Sequence, residues 1–320
     1  MSLLLVLLVW TAWYSMAGPS PFSIIRDHWP ISLTMAFGSL IAGATSEGGG
    51  AVAFPVFTKV LHITPLDAKV FALAIQSVGM TAASIVIIAM GVQVEWKVIR
   101  WATVGGFPGI FLGSGILSPL FPPELIRLLF TAMVSSFAFT LFILNRNRRI
   151  KYKTLLLYGN RERMLLMVAG FLGGVLSGLV GSGIDIVTFS LIVLLFRIAE
   201  KVATPTSVIV MAVNAIIGFL LHLYVIGGFT TEVKSYWLAA VPIVVLGAPL
   251  GAFMCSLLNN RTIAWILIAL ITVEFVTTLL LIPLSETSVI SSLFVFCFFF
   301  IIYYVMYRSR AYVPVMGQGK

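Results

Sequence analysis

Apolar residues fall in long runs separated by short polar or basic stretches. The runs cover roughly 2–17, 31–61, 66–92, 100–118, 125–144, 164–197, 203–226, 236–257, 262–282 and 288–307. A helix of about 20 apolar residues crosses a hydrocarbon core about 30 Å thick. Inside lipid a helix also satisfies its own backbone polar groups. The pattern therefore predicts an all-α polytopic membrane protein, with about eight transmembrane helices in a single membrane domain spanning residues 1–320. Ser2 to Ala17 has no positive residue before it, so it reads as a retained first span and not as a cleaved signal.

Two runs are too long for one ordinary span. Run 31–61 is interrupted by Thr45-Ser46-Glu47-Gly48-Gly49-Gly50, and run 164–197 by Gly181-Ser182-Gly183-Ile184-Asp185. Glycine weakens a helix, and broken backbone in lipid is tolerated only against protein or a wet cavity. Each run is expected to be a re-entrant hairpin of two half-helices.

Composition agrees. With 60% hydrophobic and 10% charged residues, the chain cannot cover itself as a soluble domain. The net charge of +9 reads as Lys and Arg kept on the cytoplasmic side, not as a nucleic-acid surface. The loop at 145–163 holds Arg146, Arg148, Arg149, Lys151, Lys153, Arg161 and Arg163 and is placed in the cytoplasm. If both broken runs return to the side they entered, 15 of the 20 Lys and Arg lie inside, against 11 if each crosses once. Both termini then face the cytoplasm.

The halves repeat in order. Gly48-x-Gly50 matches Gly181-x-Gly183, Trp101 matches Trp237, and Gly109-x-x-x-Gly113 matches Gly247-x-x-x-Gly251. This divides the chain into a first repeat at 31–144, the basic loop, and a second repeat at 164–282. Spans at 1–20 and 288–307 lie outside the repeats. A broken hairpin plus three spans inverts the second copy, the inverted-repeat plan of secondary transporters. The GxxxG pairs themselves read as close helix packing.

The breaks are the candidate chemistry. A half-helix starting at mid-membrane presents unpaired N–H groups and a positive dipole end, which suits an anion. The residues so placed are Ser46, Gly48, Gly49, Gly50, Ser182 and Gly183, with Gln76, Thr206, Ser207 and Asn214 on the spans that follow. Glu47 and Asp185 stand at the breaks. Burial disfavours an ionised carboxylate, so either can carry a coupling proton or bind Na⁺, and Asp185 can equally cap its half-helix. Glu274 lies mid-span with no evident Lys or Arg at its depth, as a second proton site or a partner for a hydroxyl or His222. Cys255 and Cys297 read as packing residues, and the sequence implies no metal or cofactor. Neither His-Glu-x-x-His, Gly-x-Ser-x-Gly nor a nucleotide-binding Gly-x-x-x-x-Gly-Lys-Ser/Thr loop occurs, so an enzyme is not expected.

The tract from Gly43 through Glu47 and Gly50 to Pro55 resembles the glycine-rich signature of the TauE/SafE sulfite exporter family. Gly178-Leu-Val-Gly181-Ser-Gly183, followed by Ala203-Thr204-Pro-Thr206-Ser207, resembles its repeat. The chain departs from the family pattern at Glu47, at Ile184 and Asp185, and in lacking a partner for Pro55. The resemblance runs from about 31 to 282. It implies an inner-membrane carrier of small sulfur-containing anions such as sulfite or an organosulfonate. The expected partners are thus a small anionic substrate and the lipid bilayer, with no nucleic acid. Two readings stand: a secondary transporter exporting the anion with protons coupled through the acids, or a cation carrier or channel in which Glu47 and Asp185 bind the cation directly. Replacing both acids by amides separates them. In flux and binding assays an anion carrier should keep binding and lose pH dependence, whereas a cation carrier should lose cation binding.

Overall fold

The computed structural model describes residues 2–46, 56–145, 151–281 and 285–309, and their regular structure is helical apart from one isolated backbone bridge. The helices are α1 Ser2–Ala17, α2 Pro21–Asp27, α3 Trp29–Ala44, α4 Pro65–Ala89, α5 Trp96–Phe111, α6 Pro123–Asn145, α7 Asn160–Val180, α8 Ile184–Leu194, α9 Glu200–Leu221, α10 Thr231–Leu257, α11 Asn260–Leu281 and α12 Glu286–Arg308. A wider turn at Val56–Val60 precedes α4. Local sequence starts these helices in ordinary ways. Thr64 accepts the Asp67 amide ahead of Pro65, and Thr230 accepts the Val233 amide ahead of α10.

Among the described residues, eight helices are long and apolar enough to cross a membrane: α4, α5 with its extension to Leu120, α6, α7, α9 with its extension to Ile226, α10, α11 and α12. The number agrees with the sequence, but one member does not. Helix α7, expected as a half-helix, is a full 21-residue span, while α1 has only 16 residues. The second hairpin is therefore a full helix returning through an 11-residue half-helix, α8.

Helix α7 keeps its continuity because its glycines serve contact. A Cβ on Gly170 would stand 2.0 Å from the carbonyl oxygen of Ala102, and one on Gly109 would stand 2.2 Å from that of Phe171. Without side chains there, α5 and α7 touch backbone to backbone. The same contact recurs between α3 and α10, where a Cβ on Gly251 would meet Leu40 O at 2.0 Å and one on Gly43 would meet Ala248 O at 1.9 Å. Packing partners exchange in this way throughout. Helix α3 lies along α10 as α7 lies along α5, α4 packs on α10 as α9 packs on α5, and α4 and α9 pack on each other.

Contacts sort the connections onto two faces. On one face the Tyr152 amide donates to Arg197 O at 2.9 Å and the Ala199 amide donates to Tyr152 O at 2.8 Å. Lys151 pairs with Glu200 at 2.5 Å, the Leu155 amide donates to Glu95 at 3.0 Å, and the Lys201 amide donates to Asn260 at 2.9 Å. So α7 begins and α8 ends on the same face, as the charge distribution predicts. On the other face the rings of His28 and Tyr236 meet at 5.3 Å and Lys69 donates to Ser118 at 2.7 Å. Helices α3 and α4 both begin there, and the turn between them falls partly outside the described residues.

Helix α1 is held through a proline. Pro242 inside α10 has no N–H, which leaves the carbonyl four residues earlier, Leu238, without its helical donor. The Trp13 indole donates to that carbonyl at 2.7 Å, and Trp10 donates to Pro242 O at 3.1 Å. Close packing of α10 on α3 makes a sharp prediction. Gly251→Ala should lower the thermal unfolding midpoint in detergent by the equivalent of about 1–3 kcal/mol. Gly115→Ala, where an added Cβ meets nothing within 4 Å, should leave it within a few tenths.

Candidate functional site

A cavity lies between α3, α4, α6, α10 and the second break. Ser39, Gln76, Arg127 and Ser182 give it polar groups, and Phe71 and Met80 are among its apolar walls. The two hairpins thus reach one cavity: Ser39 belongs to the first and Ser182 to the second.

The second break is built around two glycines. Gly181 and Gly183 adopt φ of +95° and +144°, which side chains with a Cβ rarely tolerate. The sequence predicted free amides at the start of α8, and the structure corrects this. Oδ1 of Asp185 accepts from the amides of Gly183 at 3.1 Å and Ile186 at 3.0 Å, and the Ser177 hydroxyl accepts from the Ile184 amide at 3.0 Å. The acid caps its own half-helix, so Gly183 has no amide to offer a ligand. Oδ2 of Asp185 is buried and has no hydrogen-bond partner among the described residues. Gln76 closes the break from α4, donating to Gly181 O at 2.9 Å and to Ala72 O at 3.0 Å. Its Oε1 stays without a partner among the described residues.

The sequence reading missed Arg127. Its Nη2 lies 2.5 Å from Oε1 of Glu274, and both side chains are almost wholly buried, at 4% and 2% exposure. Glu274 therefore has a cation at its depth after all, and its partner is neither His222 nor a hydroxyl. The pair forms because α6 and α11 pack side by side and the long arginine reaches inward from the second turn of α6. One turn further along each helix, the Thr131 and Thr278 hydroxyls share a 3.3 Å hydrogen bond. A sequence signal did exist: α6 and α11 are the fourth elements of the two proposed repeats, and Arg127 is the only basic residue in run 125–144.

The remaining candidates are scattered. Thr206 donates to Val202 O at 2.7 Å and accepts from the Glu95 amide at 3.0 Å, on the face of the basic loop and away from the cavity. Ser207 donates to Thr204 O at 2.9 Å. Asn214 is buried beside Gly106, and neither it, Thr206 nor Ser207 lines the cavity. Ser46 is buried at the end of the described part of the first hairpin. Glu47, Gly48, Gly49 and Gly50 lie outside the described residues.

A family model described as sulfite exporter TauE/SafE matches residues 31–278. The chain belongs to the TauE/SafE family. Searches of curated proteins and of solved structures give no match. The TauE/SafE match opens within α3 and closes within α11, so it takes in both hairpins, the cavity and the Arg127–Glu274 pair, while α1, α2 and α12 lie outside it. The family is one of membrane transporters, in keeping with a bundle of apolar helices.

The cap geometry separates two substitutions. Asp185→Asn keeps an oxygen for the Gly183 and Ile186 amides and should cost little stability. Asp185→Ala should cost about 0.5–2 kcal/mol, read as a lower unfolding midpoint of the purified protein in detergent.

Proposed function

We propose that this TauE/SafE protein is a secondary carrier that exports a small sulfur oxyanion, sulfite or an organosulfonate, from the cytoplasm. The observation that carries the reading is a buried arginine, Arg127, lining a cavity that Ser39 of the first broken run and Ser182 of the second also line. Arginine holds oxyanions well because its fork of N–H groups matches their oxygens. The Ser39 and Ser182 hydroxyls add polar groups to a wall that is otherwise largely apolar.

The exchange of packing partners between the halves supports two inverted repeats, at 31–144 and 164–282, rocking around this site to give alternating access. The basic loop supports a cytoplasmic assignment for its face, with the carrier in a cell membrane and its charged connections inside. Asp185 is the coupling acid: one oxygen is held by its own helix, and the other is open to a proton. A cation carrier fits less well. Among the described residues no carboxylate lines the cavity, whereas Arg127 does.

Flux of radiolabelled sulfite into proteoliposomes tests the reading, with and without an imposed pH gradient. Wild type should accumulate sulfite along the gradient, and Asp185→Asn should carry it with no response to the gradient. Well-reconstituted protein that moves no sulfite and no organosulfonate would remove the substrate assignment.

A further inference from the structure

Arg127 serves two surfaces at once. Arg127 lines the cavity, and its Nη2 lies 2.5 Å from Glu274, in a setting where neither side chain is more than 4% exposed. Such a pair is nearly neutral as a unit. An anion entering the cavity and Glu274 are two acceptors competing for one guanidinium, whose Nη2 already faces the carboxylate. Arg127 can hold an incoming oxyanion at its full strength only if Glu274 gives way.

The neighbouring turn has what that movement needs. Thr278 is one helical turn from Glu274 on the same face of α11, and Thr131 is one turn from Arg127 on the same face of α6. Their hydroxyls already touch at 3.3 Å, a long hydrogen bond that either can exchange for a carboxylate.

Building on the anion-carrier reading above, we propose that Glu274 is a resident counter-anion that the substrate displaces from Arg127. In the empty carrier the carboxylate occupies the guanidinium. In the loaded carrier the substrate takes its place, and Glu274 turns to the hydroxyls of Thr131 and Thr278. The site then selects ligands that imitate a carboxylate: singly charged oxyanions with two oxygens on one centre. Halides, which have no such edge, are poor competitors.

Binding of radiolabelled sulfite to the purified full-length protein tests this, using wild type, E274Q, R127Q and the R127Q/E274Q double variant. Glu274→Gln removes the competitor and should tighten binding roughly tenfold. Arg127→Gln should weaken it about a hundredfold. The double variant removes both charges of the pair together, so it should remain folded and still fail to bind. Acetate should displace sulfite from wild type, and chloride at the same concentration should not. A folded double variant that binds sulfite like wild type makes the pair purely structural and overturns the proposal, as does E274Q with unchanged or weaker affinity. Thr131→Val with Thr278→Val keeps the ion pair and should weaken binding, and no change there overturns the role given to the hydroxyls. Wild type that binds no oxyanion at all overturns the carrier reading itself, a result distinct from the others.

Discussion

A backbone amide or carbonyl inside a bilayer has no water to turn to, and each one that leaves helical pairing must find a partner within the protein. Several of the long-range and capping contacts among the described residues answer that constraint. Gln76 takes the carbonyl of Gly181 where α7 stops. Asp185 and Ser177 take the first amides of α8. Trp13 takes the Leu238 carbonyl freed by Pro242, and Thr206 takes the Glu95 amide at the start of α5. Polar residues in the membrane that look like ligands in the sequence thus divide into two groups. Some repair the backbone, and a smaller number remain for a substrate.

The division falls in a definite place. Ser39, Ser182 and Gln76 reach the cavity together with Arg127, whereas Thr206, Ser207 and Asn214 do not. Asp185 repairs the break with one oxygen, and its other oxygen is buried without a partner among the described residues. Arg127 is a buried cation among the cavity's lining residues and is paired with a neighbouring acid. On the proposed reading, such a site would hold its positive charge neutralised while empty.

Much of the fold is legible from the order of apolar runs, because a span has to be about 20 residues of continuous hydrophobicity. The break at 181–183 is legible for a related reason: glycines loosen the helix there, and an acid two residues on is too costly to leave facing lipid. The misreading of α7 shows where that logic stops. Gly170, Gly173, Gly174 and Gly178 weaken an isolated helix, but here they admit close neighbours, above all the backbone of α5, and contact outweighs propensity. The site was only half legible. Gln76 and Ser182 stand near a break and can be picked out by position. Arg127 and Glu274 are far apart in sequence, and only the packing of α6 on α11 makes them one feature.

The central claim is that a small oxyanion binds between the two hairpins against Arg127. Its most direct test is an experimental structure of the protein soaked with selenite, a sulfite analogue whose selenium can be located by anomalous scattering. The account predicts one selenium peak in the cavity, within hydrogen-bonding reach of Arg127 and Ser182, with Glu274 turned away. A peak elsewhere, or an empty cavity with Arg127 and Glu274 still paired at saturating selenite, would contradict it.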